Sequence, residues 1–243
     1  MNANRLNMFI KLYQKELQEL KTEIILTIFA VVAASIVVYI SGPQIRWTTL
    51  LFVMVAGLAG LLPVISAGGI FTKEFNHNTI YLVMSLPVRG GMILGSKLAA
   101  VVSQYLIGTL TVMISGTILS YALFAEEITV IIREINGIPW NLGLAVYFVT
   151  IVFGIYLVSL IFFSQIIAKL VNKFNYVVTF GTLFGLLWLT NKVAMSLIES
   201  MNYAQVAGLP SVQPILYTAL IYLGVSAVIF ISSVLIYNRR IEL

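Results

Sequence analysis

Six stretches of this chain are apolar over the length of a bilayer, or nearly so, and that pattern limits the chain to few folds. They are residues 24–40, 49–71, 98–123, 142–168, 176–198 and 215–237. A helix that spans the hydrocarbon needs about 20 consecutive, mostly apolar residues. The pattern predicts an all-α polytopic membrane protein with six transmembrane helices in one domain, residues 24–243, preceded by a separate element at 1–23. Composition agrees: 60% of the 243 residues are hydrophobic and 9% are charged, against about 25% charged in a soluble domain. The fifth run is the least regular. Its clean part stops at Thr190, and at Asn191-Lys192 either the lysine snorkels to the interface or the segment turns back.

Lysine and arginine set the direction. With six spans both termini share a side, and that side collects Arg5, Lys11, Lys15, Lys21, Lys73, Arg89, Lys97, Lys169, Lys173, Arg239 and Arg240. Arg46, Arg133 and Lys192 fall on the other. The positive-inside rule then predicts cytoplasmic termini and a cytoplasmic 72–97 segment. The net charge of +5 is thereby a matter of topology, and no nucleic-acid partner is expected. The charged stretch ahead of the first span holds Glu16, Glu19 and Glu23, unlike the short basic start of a cleavable signal.

Within residues 1–23, Leu6, Phe9, Tyr13, Leu17 and Leu20 recur every three or four positions and lead on to Ile24. This is an amphipathic helix. It either continues the first span or lies in the cytoplasmic interface, as an anchor or as a docking surface. On the opposite side, Ile128, Ile131, Ile132 and Ile135 form an apolar stripe that ends at Gly137 and Pro139. A short interfacial helix is expected there, and residues 191–214 form a plain loop or a re-entrant segment.

Several chemistries are excluded by residue type. The chain has no cysteine, no aspartate and one histidine, His77, so thiolate chemistry is ruled out and no metal site is expected. The six runs contain no Asp, Glu, Arg or His, and Lys192 is their only lysine. Proton- and ion-coupled transport needs ionisable groups along the pathway. The chain is therefore not expected to be an enzyme, and any uphill transport would draw on another subunit. "RGGMILGSK", residues 89–97, resembles a phosphate-binding loop with its Lys and Ser reversed. It runs directly into the third span, so no ATP binding is expected, and Lys97 is read as an interfacial anchor. Pro63 among Gly57, Gly60, Gly68 and Gly69 predicts a kink, a hinge or close helix packing in the second span.

The segment between the second and third spans carries more exposed apolar residues than a solvated loop needs: Ile80, Leu82, Val83, Leu86 and Val88 precede Gly90-Gly91. A partner that covers it would account for them. With Glu74, Thr79, Leu82, Ser85-Leu86-Pro87-Val88 and Lys97-Leu98, this segment resembles the membrane subunits of bacterial type-2 ABC transporters. The chain departs from their pattern at Asn78, where glycine is usual, and at Ser96, which separates Gly95 from Lys97. The resemblance extends to the six spans, the N-terminal interfacial helix and the irregular segment before the sixth span.

The resemblance implies a permease subunit in a bacterial cytoplasmic membrane, working as a dimer with a second copy or a paralogous permease. A separate ABC ATPase would bind ATP-Mg. It also implies a coupling segment that contacts the ATPase within 72–97, on Glu74, Asn76, His77, Thr79, Leu82, Ser85, Leu86, Pro87, Val88 and Arg89. The uncharged spans favour export of an amphipathic peptide or lipid-like cargo. The alternative is a non-transporting membrane scaffold or sensor that docks a cytoplasmic partner.

Overall fold

The computed structural model describes residues 2–42, 46–76, 90–134, 140–171, 175–200 and 212–240, and among them every regular element is an α-helix. In chain order these are α1 (Asn2–Ser41), α2 (Arg46–Asn76), α3 (Gly90–Glu134), α4 (Trp140–Val171), α5 (Asn175–Ser200) and α6 (Val212–Arg240). Each of the six has a stretch long and apolar enough to cross a membrane. The protein is an all-α, multi-pass membrane protein, and the six helices coincide with the six apolar runs.

Three helices run differently from a simple span. Residues 2–23 and the first apolar run form one uninterrupted helix of 40 residues. At 1.5 Å per residue it is about 60 Å long, roughly twice the hydrocarbon thickness, so half of it extends past the membrane core. Its other end closes at Gly42, whose φ of 72° and N–H bond to the Val38 carbonyl (3.1 Å) make a left-handed cap. In α3 the backbone leaves helical geometry at Phe124 (φ −133°, ψ 34°). The break separates the span from a helical stretch that reaches Glu134, where the stripe begun at Ile128 was expected to be helical. In α5 the helix continues through Asn191 and Lys192 without turning back. Lys192 Nζ lies 5.2 Å from the Trp188 ring centroid, a cation–π placement open to a lysine at a span end.

The helices fall into two groups, α1-α2-α3 and α4-α5-α6, joined through α2–α4, α3–α4 and α3–α6 contacts. The main core lies at one end of the bundle. It combines Leu20 of α1, Ala67 and Ile70 of α2, Ile93, Leu94 and Val101 of α3, Phe162 and Ile166 of α4 and Tyr237 of α6. These residues come from the N-terminal half of α1, the C-terminal ends of α2, α4 and α6, and the start of α3. Both termini therefore belong to the same end as the core. Gly90 marks how closely the elements meet there, since a methyl on it would lie 2.5 Å from Tyr237 Cδ1. A smaller cluster of Tyr156, Leu160 and Ile229 ties α4 to α5 and α6. The Tyr156 hydroxyl bonds Thr190, and the Tyr222 hydroxyl donates to Asn191 Oδ1 at 3.1 Å.

Candidate functional site

The most polar part of the interior is a seam between α1 and α3. Along α1 the buried positions are Leu12, Glu16, Leu20, Thr27, Val31, Ala34 and Val38, a stripe that follows the helical repeat. On α3 the buried set includes Ile93, Lys97, Ala100, Val101 and Gln104. The two helices run in parallel with one register. Glu16 pairs with Lys97 and Glu23 with Gln104, 81 residues apart in both cases. Thr27 meets Gly108 at the same offset, with Thr27 Cγ2 3.7 Å from where a methyl on Gly108 would sit.

Polar contacts run along this seam. Lys97 Nζ donates to Glu16 Oε1 at 3.0 Å, and the two side chains are 1% and 2% exposed. Lys15, on the outer face, lies 3.4 Å from the same oxygen and 3.2 Å from Glu19. Tyr13 and Ser103 share a hydrogen bond of 2.9 Å. One helical turn past Leu20, the Ser66 hydroxyl of α2 donates to the Glu23 carboxylate. Gln104 Nε2 donates to Ser66 Oγ at 3.2 Å and reaches Glu23 Oε2 at 3.5 Å. Gln165 of α4 adds a bond to the Gly68 carbonyl, 2.8 Å. Glu23 directly precedes the first apolar run, and Glu16 lies seven residues, about 10 Å, further out. The ion pair therefore sits at headgroup depth, shielded by protein.

This arrangement corrects the expectation for Lys97. The side chain is not an interfacial anchor toward lipid headgroups; it is buried in the helix bundle and neutralised by Glu16. The reason is the length of α1, which carries a carboxylate past the start of α3. Sequence reasoning also passed over Glu16, Glu23 and Gln104 as site residues. A signal for them exists: Glu16 and Glu23 are seven residues apart, as are Lys97 and Gln104, which keeps each pair on one helix face.

In the second span, α2 continues through Pro63, which is fully buried. Proline lacks the N–H that would bond the carbonyl four residues earlier, which here belongs to Ala59. A methyl on Gly108 would sit 3.2 Å from that same Ala59 oxygen. Proline on one helix and glycine on the other thus meet at a single close approach. Gly68 also packs tightly, its missing methyl 3.4 Å from Gln165 Nε2, whereas nothing lies within 4 Å of the corresponding position on Gly60. Of the proposed coupling residues, Glu74 and Asn76 belong to the last turns of α2. His77, Thr79, Leu82, Ser85, Leu86, Pro87, Val88 and Arg89 lie outside the described residues.

Chemically, the seam holds α1, α2 and α3 in register through one buried ion pair and a run of side-chain hydrogen bonds. Among the described residues no three metal-ligating side chains come together. No model of a known protein family matches the chain, and neither does any curated protein or solved structure compared with it.

Proposed function

We propose that this chain is the permease subunit of an ATP-driven exporter, coupled through the segment between α2 and α3 to a separate ATPase that binds ATP-Mg. The observation that carries the reading is how the start of α3 is held. Directly after that segment, Gly90 packs on Tyr237 of α6, Gly95 lies against Phe9 of α1, and Lys97 is paired with Glu16. A push on the segment therefore reaches α1, α3 and α6 together through rigid, close-packed contacts. A flexibly tethered loop would dissipate it. The segment leaves from the end of the bundle that carries both termini, and the excess of Lys and Arg there supports a cytoplasmic placement in a bacterial plasma membrane.

A second permease copy fits the same reading. On α5, Gly181 and Gly185 are four residues apart with nothing within 4 Å of either missing methyl, a spacing that lets transmembrane helices approach closely. The uncharged spans support an amphipathic peptide or lipid-like cargo.

The decisive experiment reconstitutes the chain with a candidate ABC ATPase subunit and measures ATP-driven export from vesicles. The native pair is expected to transport. Leu86→Asp should abolish coupling while the permease remains monodisperse, because a charge placed in an apolar subunit contact costs several kcal/mol to desolvate. ATPase binding with no nucleotide-dependent transport would favour the scaffold or sensor reading instead. Topology is checked separately, using the absence of native cysteine. In intact cells, His77→Cys should resist an impermeant thiol reagent and Glu134→Cys should react with it; the reverse pattern would invert the orientation.

A further inference from the structure

Past Thr27 and Gly108 the contact between α1 and α3 opens into a cavity of about 550 Å³. Val32, Ser35, Ile36 and Tyr39 line one wall and Thr111, Ile114, Ser115 and Ile118 the other. Val32, Ile36, Ile114 and Ile118 remain 43%, 52%, 59% and 65% exposed, so the groove opens sideways, toward the bilayer. Closing it is opposed at its lower end, where the Gly108–Ala59 approach fixes α3 against α2, and the Glu16–Lys97 pair holds α3 to α1 about 20 Å further along.

We infer that this groove holds one acyl chain of a bilayer phospholipid, from the leaflet at the end opposite the termini. Its length carries the assignment. The α3 wall runs from Thr111 to Ala122, about 16 Å along the helix, and half of the hydrocarbon core is about 15 Å. Its outer end coincides with the membrane boundary on both walls. Tyr39 lies three residues before the Gly42 cap, and Ala122 two residues before the break at Phe124. A tyrosine there sits at the depth where its hydroxyl reaches headgroups.

The chemistry of the walls fits an apolar chain. The hydroxyls of Ser35, Thr111 and Ser115 each donate to a carbonyl of their own helix, Val31, Ile107 and Val112, so they ask nothing of an occupant. A helix from a second copy is a poorer fit, since close helix packing in lipid uses small residues. The large exposed side chains of this groove are Val32, Ile36, Tyr39, Ile114 and Ile118, four of them β-branched, and Gly116 on α3 faces Phe52 of α2. The inference rests on the bilayer setting and not on the transport reading.

The test uses vesicles containing a phosphatidylcholine with a photoreactive diazirine on its acyl chain, and maps adducts by peptide mass spectrometry. Labelling at Ile114, Ser115 and Ile118 should exceed severalfold that at Val53, which is 63% exposed on α2 at the same end of the bundle and lies outside the groove. Ser115→Trp on one wall, or Ser35→Phe on the other, should reduce it to the Val53 level, and unchanged labelling at Val53 reports an intact fold. Labelling no stronger than at Val53 would mean ordinary surrounding lipid and overturn the inference. So would efficient disulfide dimers of the single-cysteine variant Ile118→Cys, which would assign the groove to a second copy.

Discussion

Replacing Lys97 with methionine is expected to destabilise the protein by about 3–5 kcal/mol, the usual cost of leaving one charge of a buried pair without its partner. The carboxylate of Glu16 is 2% exposed, and its Oε2 has no hydrogen-bond partner among the described residues. Lys15 lies 3.4 Å from Oε1 but is 42% exposed, too well solvated to take over. Adding Glu16→Leu to the same chain should restore most of the loss, because an apolar pair of similar volume is often as stable as the ions it replaces. Lys97→Arg keeps the charge, yet the wider planar guanidinium must fit a site with no spare surface. It should fall between wild type and Lys97→Met, not behave as the silent change expected of an interfacial anchor. Denaturant midpoints of the purified proteins in mild detergent give the order. If Lys97→Met and Glu16→Leu are additive and mild, the two charges are hydrated separately and the seam is not a clamp.

The span pattern was legible because hydrocarbon imposes a length and a polarity on each segment independently of its neighbours. Lys97 was misread because a periodic apolar face looks the same whether it meets lipid or protein. Nothing local near Lys97 announces a carboxylate 81 residues earlier. The first 23 residues show the same limit: their apolar periodicity marks a helix, but Glu16 lies on its buried face because α3 supplies a cation there. At Asn191-Lys192 the polar pair looked like an interruption. In three dimensions the asparagine meets Tyr222 and the lysine lies over Trp188, so the helix has no reason to stop. Pro63 stood out in the sequence, whereas its partner Gly108 lies in an ordinary stretch of the third span. Only the pairing of α2 with α3 gives that glycine a meaning.

Gly108→Leu is expected to be the most disruptive apolar substitution in the spans, at about 3 kcal/mol, the upper part of the range for overpacking a close-packed site. Even a single methyl there would lie 3.2 Å from the Ala59 carbonyl oxygen and 3.7 Å from Thr27 Cγ2. The methyl alone would press on α2 and only touch α1, so the longer leucine side chain has room on neither side. The main obstacle is backbone, which cannot swing aside as a side-chain tip does. Gly60→Ala supplies the contrast: its methyl meets nothing within 4 Å, so it should be neutral or stabilise by up to about 1 kcal/mol through helix propensity. The cause is separated from general crowding by a double-mutant cycle with Pro63. A proline ring crowds the carbonyl four residues before it and removes its hydrogen bond, so Ala59 oxygen is left to face Gly108. In a Pro63→Ala background the new N–H should draw that oxygen back into α2, and Gly108→Ala should then cost less than it does beside proline. The coupling is expected at about 0.5–3 kcal/mol, as for residues that share a contact. Strict additivity of the two changes would show that Pro63 and Gly108 act separately, and that the close approach of α2 and α3 does not depend on the missing hydrogen bond.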